Sequence, residues 1–134
     1  MQIDEEPNYC RKSFKALCKK YRAFEKDYEH AKRLLSDQFC PLIDSMPLAN
    51  SRLLHRESGM SDSCACELWK LNISVTGAGL RPTQWPRLWF ALIEADNIIV
   101  PLVLSLHQDD GGSDQDPKNE AMKKIAAYFR QEPS

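Results

Sequence analysis

Several features that would assign the chain quickly are missing. No apolar run approaches the roughly 18–20 residues of a membrane-spanning helix, and the stretch from Ile98 to Leu106 is interrupted by Pro101. Neither sign of charge dominates, since the formal net charge is -1 over 134 residues. Cys64 and Cys66 form a C-x-C pair without the spacing or second knuckle of a zinc site. A metal centre built with Cys40 and His55 is therefore not expected, and the chemistry is read as needing no metal and no cofactor. Gly77-Ala78-Gly79 has neither a phosphate-loop lysine nor dinucleotide-fingerprint spacing, and reads as a turn. Ser105 and His107 lack the nucleophile elbow of a serine hydrolase. There is no internal repeat. The five cysteines are an odd number with no secretion signal before them, which fits a reducing cytoplasmic setting better than a disulfide framework.

What is present is one domain's length, 1–134, with enough apolar content for a single core. The small net charge conceals segregation. Between Cys10 and Arg33 there are nine Lys and Arg against three acids, and between Glu94 and Glu120 seven acids against Lys118 alone. A basic region of this kind suits an RNA or acidic partner, although a solvated helix face is the commoner reason for one.

Along the chain, Met1 to Asn8 reads as a short edge strand or a tail. Phe14, Leu17, Cys18 and Tyr21 fall at helical intervals, and Phe24, Tyr28, Ala31, Leu35 and Phe39 continue the stripe with a phase shift. This predicts two helices, or one broken near Arg22, ended by Pro41. Arg52 to His55 is a candidate short strand. In Glu67 to Val75 the odd positions Trp69, Leu71, Ile73 and Val75 are apolar while Lys70, Asn72 and Ser74 alternate with them, the pattern of a half-buried strand. Asp116 and Pro117 read as the cap and first residue of a last helix with Met122, Ile125, Ala126 and Phe129 on one stripe.

The stretch from Trp85 to Asp110 is the most informative. Two apolar runs, Leu88 to Ile93 and Ile98 to Leu106, flank a polar group and predict a β-hairpin. In the second run the even positions Ile98, Val100, Leu102, Leu104 and Leu106 are expected on the core face, matched by Leu88, Phe90 and Leu92 in the first. Arg87, Trp89, Ser105 and His107 then share the opposite, polar face. A three- or five-residue loop keeps like with like, and centring the turn on Asp96 sets Arg87 opposite Ser105 and diagonal to His107, roughly 7–8 Å away. Lys70 and Asn72 join this face if their strand neighbours the hairpin. A histidine and two cations are the parts that RNA phosphodiester cleavage needs: a group to move protons and positive charge for the phosphorane-like transition state. Trp89 beside Arg87 is placed to stack on a base, or else to pack under a loop. A solvent-facing sheet that bears Lys, Arg and Asn for solubility alone is the simpler alternative.

The order of elements, with a weak strand at QIDEEPN, helices through KALCKKYRAFEKDYEHAKRLL, strand ELWKLNIS, then RLWFALIEADNIIVPLVLSLH and a final helix, resembles the RelE/ParE superfamily of toxins from type II toxin–antitoxin systems. The resemblance covers nearly the whole chain and is most specific at Arg87-Leu88-Trp89-Phe90. It implies an α+β fold with an N-terminal helical hairpin packed on a small antiparallel sheet and a C-terminal helix. It further implies ribosome-dependent cleavage of mRNA without a metal, and neutralisation by a cognate antitoxin. Arg87 matches the position of a transition-state arginine, His107 that of a basic or histidine residue near the last strand's end, and Lys70 that of a basic residue on the middle strand. Arg52 is a looser match, grouped with Asn72 and Trp89 as an RNA-contacting residue. A non-enzymatic protein-binding module on the same fold, as in the gyrase-inhibiting branch, is the alternative reading.

Overall fold

The computed structural model describes residues 2–5, 7–38, 54–56, 67–93, 97–106 and 115–130. It is an α+β fold. Strand β1 (Gln2–Ile3) leads into helices α1 (Arg11–Lys20) and α2 (Phe24–Gln38), followed by strands β2 (Leu54–Arg56), β3 (Glu67–Asn72), β4 (Arg87–Ile93) and β5 (Ile98–Ser105), and then helix α3 (Gln115–Arg130). The strands form one sheet in the order β1-β5-β4-β3-β2. The expectation of an antiparallel sheet is corrected here. A strand precedes the helices, and β1 runs parallel to β5, so the sheet is mixed. The remaining neighbours are antiparallel.

The helices are where the stripes end. α1 stops where Tyr21 turns extended, its N–H still donating to the Leu17 carbonyl at 2.8 Å. Lys19 and Lys20 occupy the last turn, favourable at the negative end of the helix dipole. After the break, α2 opens with Glu25 and Asp27 in its first turn, the complementary placement. Asp27 also accepts hydrogen bonds from the Thr76 N–H (2.7 Å) and hydroxyl (2.9 Å), tying α2 to the segment that follows β3.

Two apolar layers lie on opposite sides of the sheet. On one side Leu17, Phe24, Tyr28, Ala31 and Leu35 of α1 and α2 cover Leu71, Ile73, Leu88, Phe90, Leu92 and Leu104. On the other, Ala121 and Ile125 of α3 cover Leu68, Trp89, Ala91, Ile93, Val100, Leu102 and Val103. This arrangement overturns the expected single core face of β5. Ile93 pairs with Ile98 across a four-residue turn, a loop length that by itself opposes unlike faces. Asn97 takes the left-handed conformation there (φ 57°), which asparagine tolerates better than most residues. A β-bulge then corrects the phase: Phe90 pairs with Pro101 but Trp89 with Val103, leaving Leu102 as the extra residue. Val100 and Leu102 consequently face α3 while Leu104 and Leu106 face α1 and α2. Arg87 does fall opposite Ser105, through the bulge and not through the loop length.

On α3 the buried positions are Pro117, Ala121 and Ile125, with Met122 half-buried, whereas Ala126, expected on the apolar stripe, is exposed. Pro117 lies in the first turn, where its missing N–H costs nothing.

Candidate functional site

Strand register brings most of the predicted polar residues to one face of the sheet. Asn72 on β3 sits opposite Arg87 on β4, which sits opposite Ser105 on β5. One step along, Lys70 lies opposite Trp89, and Trp89 opposite Val103. These side chains alternate with Leu71, Leu88 and Leu104, which belong to the other core, so they point to the α3 side.

The expectation of an open polar face is corrected in two places. Trp89 is fully buried (0 % exposed), so it cannot stack on a base at the surface. Its indole N–H instead donates to the Ser105 hydroxyl at 3.2 Å. Arg87 is also inside, 6 % exposed, and one guanidinium N–H donates to the Thr83 carbonyl at 3.3 Å. That carbonyl belongs to a short 3-10 turn, Pro82–Gln84, which is followed by the fully buried Pro86. The Pro86 carbonyl accepts from the Ile73 N–H (2.8 Å), and the Trp85 indole donates to the Leu80 carbonyl (3.3 Å). The connection between β3 and β4 is thereby folded down onto the end of the sheet where Arg87 starts its strand.

Lys70 remains half-buried, its ammonium 5.4 Å from the centre of the Trp89 ring. A cation in that position is attracted by the negative face of the indole, by about 0.5–2 kcal/mol depending on desolvation. Trp89 thus serves as a platform for a lysine and not for a base. Asn72 is half-buried, and its side-chain oxygen has no hydrogen-bond partner among the described residues. The arrangement is a layered one: a lysine near the surface, an indole beneath it, and an arginine diagonal to the lysine and deeper.

Arg52 and His107 lie outside the described residues, as do Cys40, Cys64 and Cys66. His107 is two residues past Ser105 in the sequence. No described helix is long and apolar enough to cross a membrane.

Sequence reading missed Lys124 of α3. It reaches into the sheet, donating to the Leu102 carbonyl at the bulge (3.0 Å) and the Tyr9 carbonyl (3.5 Å), while pairing with Glu120 at 3.2 Å. The signal for it was Pro101, because a proline inside a strand marks a bulge, and a bulge leaves a backbone carbonyl for a side chain to satisfy.

Near the start of the chain, burial pushes the Cys10 thiol up to about 12 and the Tyr28 hydroxyl upward as well, the two groups being hydrogen-bonded to each other. Lys32 is pulled down by partial burial, but its hydrogen bonds to Glu5 (2.7 Å) and Glu29 (3.0 Å) win, and its affinity for the proton is raised. A thiol held protonated is a poor nucleophile, so Cys10 is a packing residue. No protein family, curated protein or solved structure matches the chain.

Proposed function

We propose that the protein is a RelE/ParE-like toxin that cleaves mRNA on the ribosome and is held in check by a cognate antitoxin. The observation that carries this reading is the register that sets Lys70 and Arg87 on one face of adjacent strands, with Asn72 and Ser105 flanking Arg87. The element order, a strand, two helices, the strands of the sheet and a last helix, supports it as well. In this reading Lys70 is the cation that a phosphate meets first, and Arg87 adds positive field from below as charge develops on the phosphorane. His107 moves the proton. Arg52 and Asn72 contact the RNA backbone. RNA specificity follows from the 2′-hydroxyl being the attacking group.

The test is cleavage of mRNA by the purified protein with and without ribosomes, together with growth after induction. The wild type is expected to cut only with ribosomes, and His107→Ala to lower the rate about 100-fold or more. Absence of ribosome-dependent cleavage by the wild type would overturn the proposal.

One observation favours a second reading, a protein-binding module on the same scaffold. Arg87 and Trp89 are packed inside, and the guanidinium holds a backbone carbonyl, as expected of residues that shape a surface for a partner. Under that reading induction is toxic, or neutral, without any RNA cleavage, and Lys70→Ala changes partner affinity alone.

A further inference from the structure

Beyond this site, the sheet has an edge that the strands among the described residues leave unpaired. β1 pairs with β5 only at Gln2–Ile98 and Ile3–Ile99. The Asp4 N–H then donates to the Ile99 carbonyl at 2.8 Å, and the chain turns away toward α1. From Val100 to Ser105 no strand among the described residues pairs with the side of β5 that faces away from β4. An unpaired strand edge is a template for another chain, and natural sheets usually blunt it.

The first half of this edge is blunted. Pro101 has no N–H to offer, and the Leu102 carbonyl at the bulge is taken by Lys124. The second half is not. The Asn97 and Ile99 carbonyls face β1, so the odd residues up to Pro101 aim their backbone at the edge. The extra residue at Leu102 reverses the alternation, so that Leu104 directs its peptide groups there.

This segment forms the floor of a cleft of about 340 Å³ between two helices. One wall is α1, with Leu17 and Lys20; the other is the start of α3, with Asp116 and Glu120; Leu104 and Leu106 lie between them. The walls differ in sign. Glu120 also pairs with Lys124 but is 56 % exposed and remains accessible.

We propose that this cleft binds an extended segment of a partner polypeptide, which adds a strand to β5 in line with β1. Because successive side chains of a strand point to opposite faces, the segment it fits carries acidic residues toward α1 and basic residues toward α3, in alternation. A second copy of the chain is a poor occupant. The same edge of that copy lies between its own α1 and α3, and the two pairs of helices would meet before the strands did. Backbone hydrogen bonds supply the affinity and the two charged walls the selectivity, the usual division in β-strand addition. The inference stands apart from the RNA-cleavage reading.

The probe is a short capped peptide of alternating glutamate and lysine, compared with a peptide of the same composition in two charge blocks and with the alternating peptide N-methylated at every other amide. Binding is followed by amide exchange and chemical shifts of the full-length protein. The alternating peptide is expected to slow exchange at Leu104 about tenfold or more at saturation. The block and N-methylated peptides are expected to leave that amide unchanged. Lys20→Glu is expected to weaken binding about threefold. No binding, equal binding of the block peptide, protection elsewhere than Val103 to Leu106, or concentration-dependent dimerisation that protects the same amide would each overturn the proposal.

Discussion

On the α1 and α2 side, β3, β4 and β5 present Leu71, Leu88, Phe90, Leu92, Ile99 and Leu104, and the helices answer with Leu17, Phe24, Tyr28 and Leu35. Phe14, Phe24 and Tyr28 pack ring to ring there, with centroids 5.1 to 6.1 Å apart. On the α3 side the same strands present Leu68, Ala91, Ile93, Val100 and Leu102 near the hairpin turn, but Lys70, Asn72, Arg87 and Ser105 toward the other end. The first face is a continuous core that fixes the fold. The second is a core for part of its length only, and where it stops being one, the charges are placed. A sheet covered on both sides can therefore still carry polar side chains on one of its faces.

The comparison is open to attack by substitution. The largest losses are expected in the two cores: Phe24→Ala on the first face and Trp89→Ala on the second should each cost about 3–5 kcal/mol in denaturant unfolding. If Trp89→Ala costs less than about 1 kcal/mol, that face is not packed as described. Next, Arg87→Ala should cost about 1–3 kcal/mol, because a buried side chain is lost together with its hydrogen bond to the Thr83 carbonyl. An unchanged unfolding midpoint would show that the arginine does not brace the connection before β4. Lys124→Met should cost about 1 kcal/mol, the worth of a hydrogen bond to the bulge carbonyl less what the aliphatic replacement retains. Its signature is loosened amide exchange confined to α3.

The remaining effect is one of pH. The Cys10 proton is held more tightly in the folded chain, with a pKa near 12 against the ordinary 9.0. Stability from this source is full below pH 9 and declines as pH rises toward 12, since the unfolded chain loses that proton first. Cys10→Ala should flatten the decline, and a wild-type protein equally stable at both ends of that window would contradict the burial.

Much of this was legible in the sequence. Period-two alternation located β3, two apolar runs flanking a polar group located the hairpin, and helical stripes located α1 and α2 with a break at residues 21–23. The pairing of Arg87 with Ser105 was expected from an odd-length loop, but it arises from a four-residue turn together with the bulge. What was not legible came from tertiary packing. The polar face was read as exposed because Lys, Arg and Asn normally face water, yet α3 lies over Trp89, and the β3–β4 connection reaches Arg87 through the Thr83 carbonyl. Where α3 returns to cover Trp89 and Leu68, far back in the chain, is invisible to local periodicity. The bulge was missed although Pro101 announces it. One displaced residue there moved Val100 and Leu102 to the opposite core, and it also created the carbonyl that Lys124 holds and the edge beyond it that no described strand pairs.

The most direct test of the account is a single-turnover comparison of wild type and Lys70→Met for ribosome-dependent mRNA cleavage, with thermal unfolding of both measured alongside. Methionine keeps the aliphatic packing on Trp89 and removes only the charge. If Lys70 meets the phosphate as proposed, the variant cleaves about 10–100-fold more slowly while the two unfolding temperatures agree closely. Equal rates in the two proteins, or a loss that merely follows a fall in stability, would contradict it.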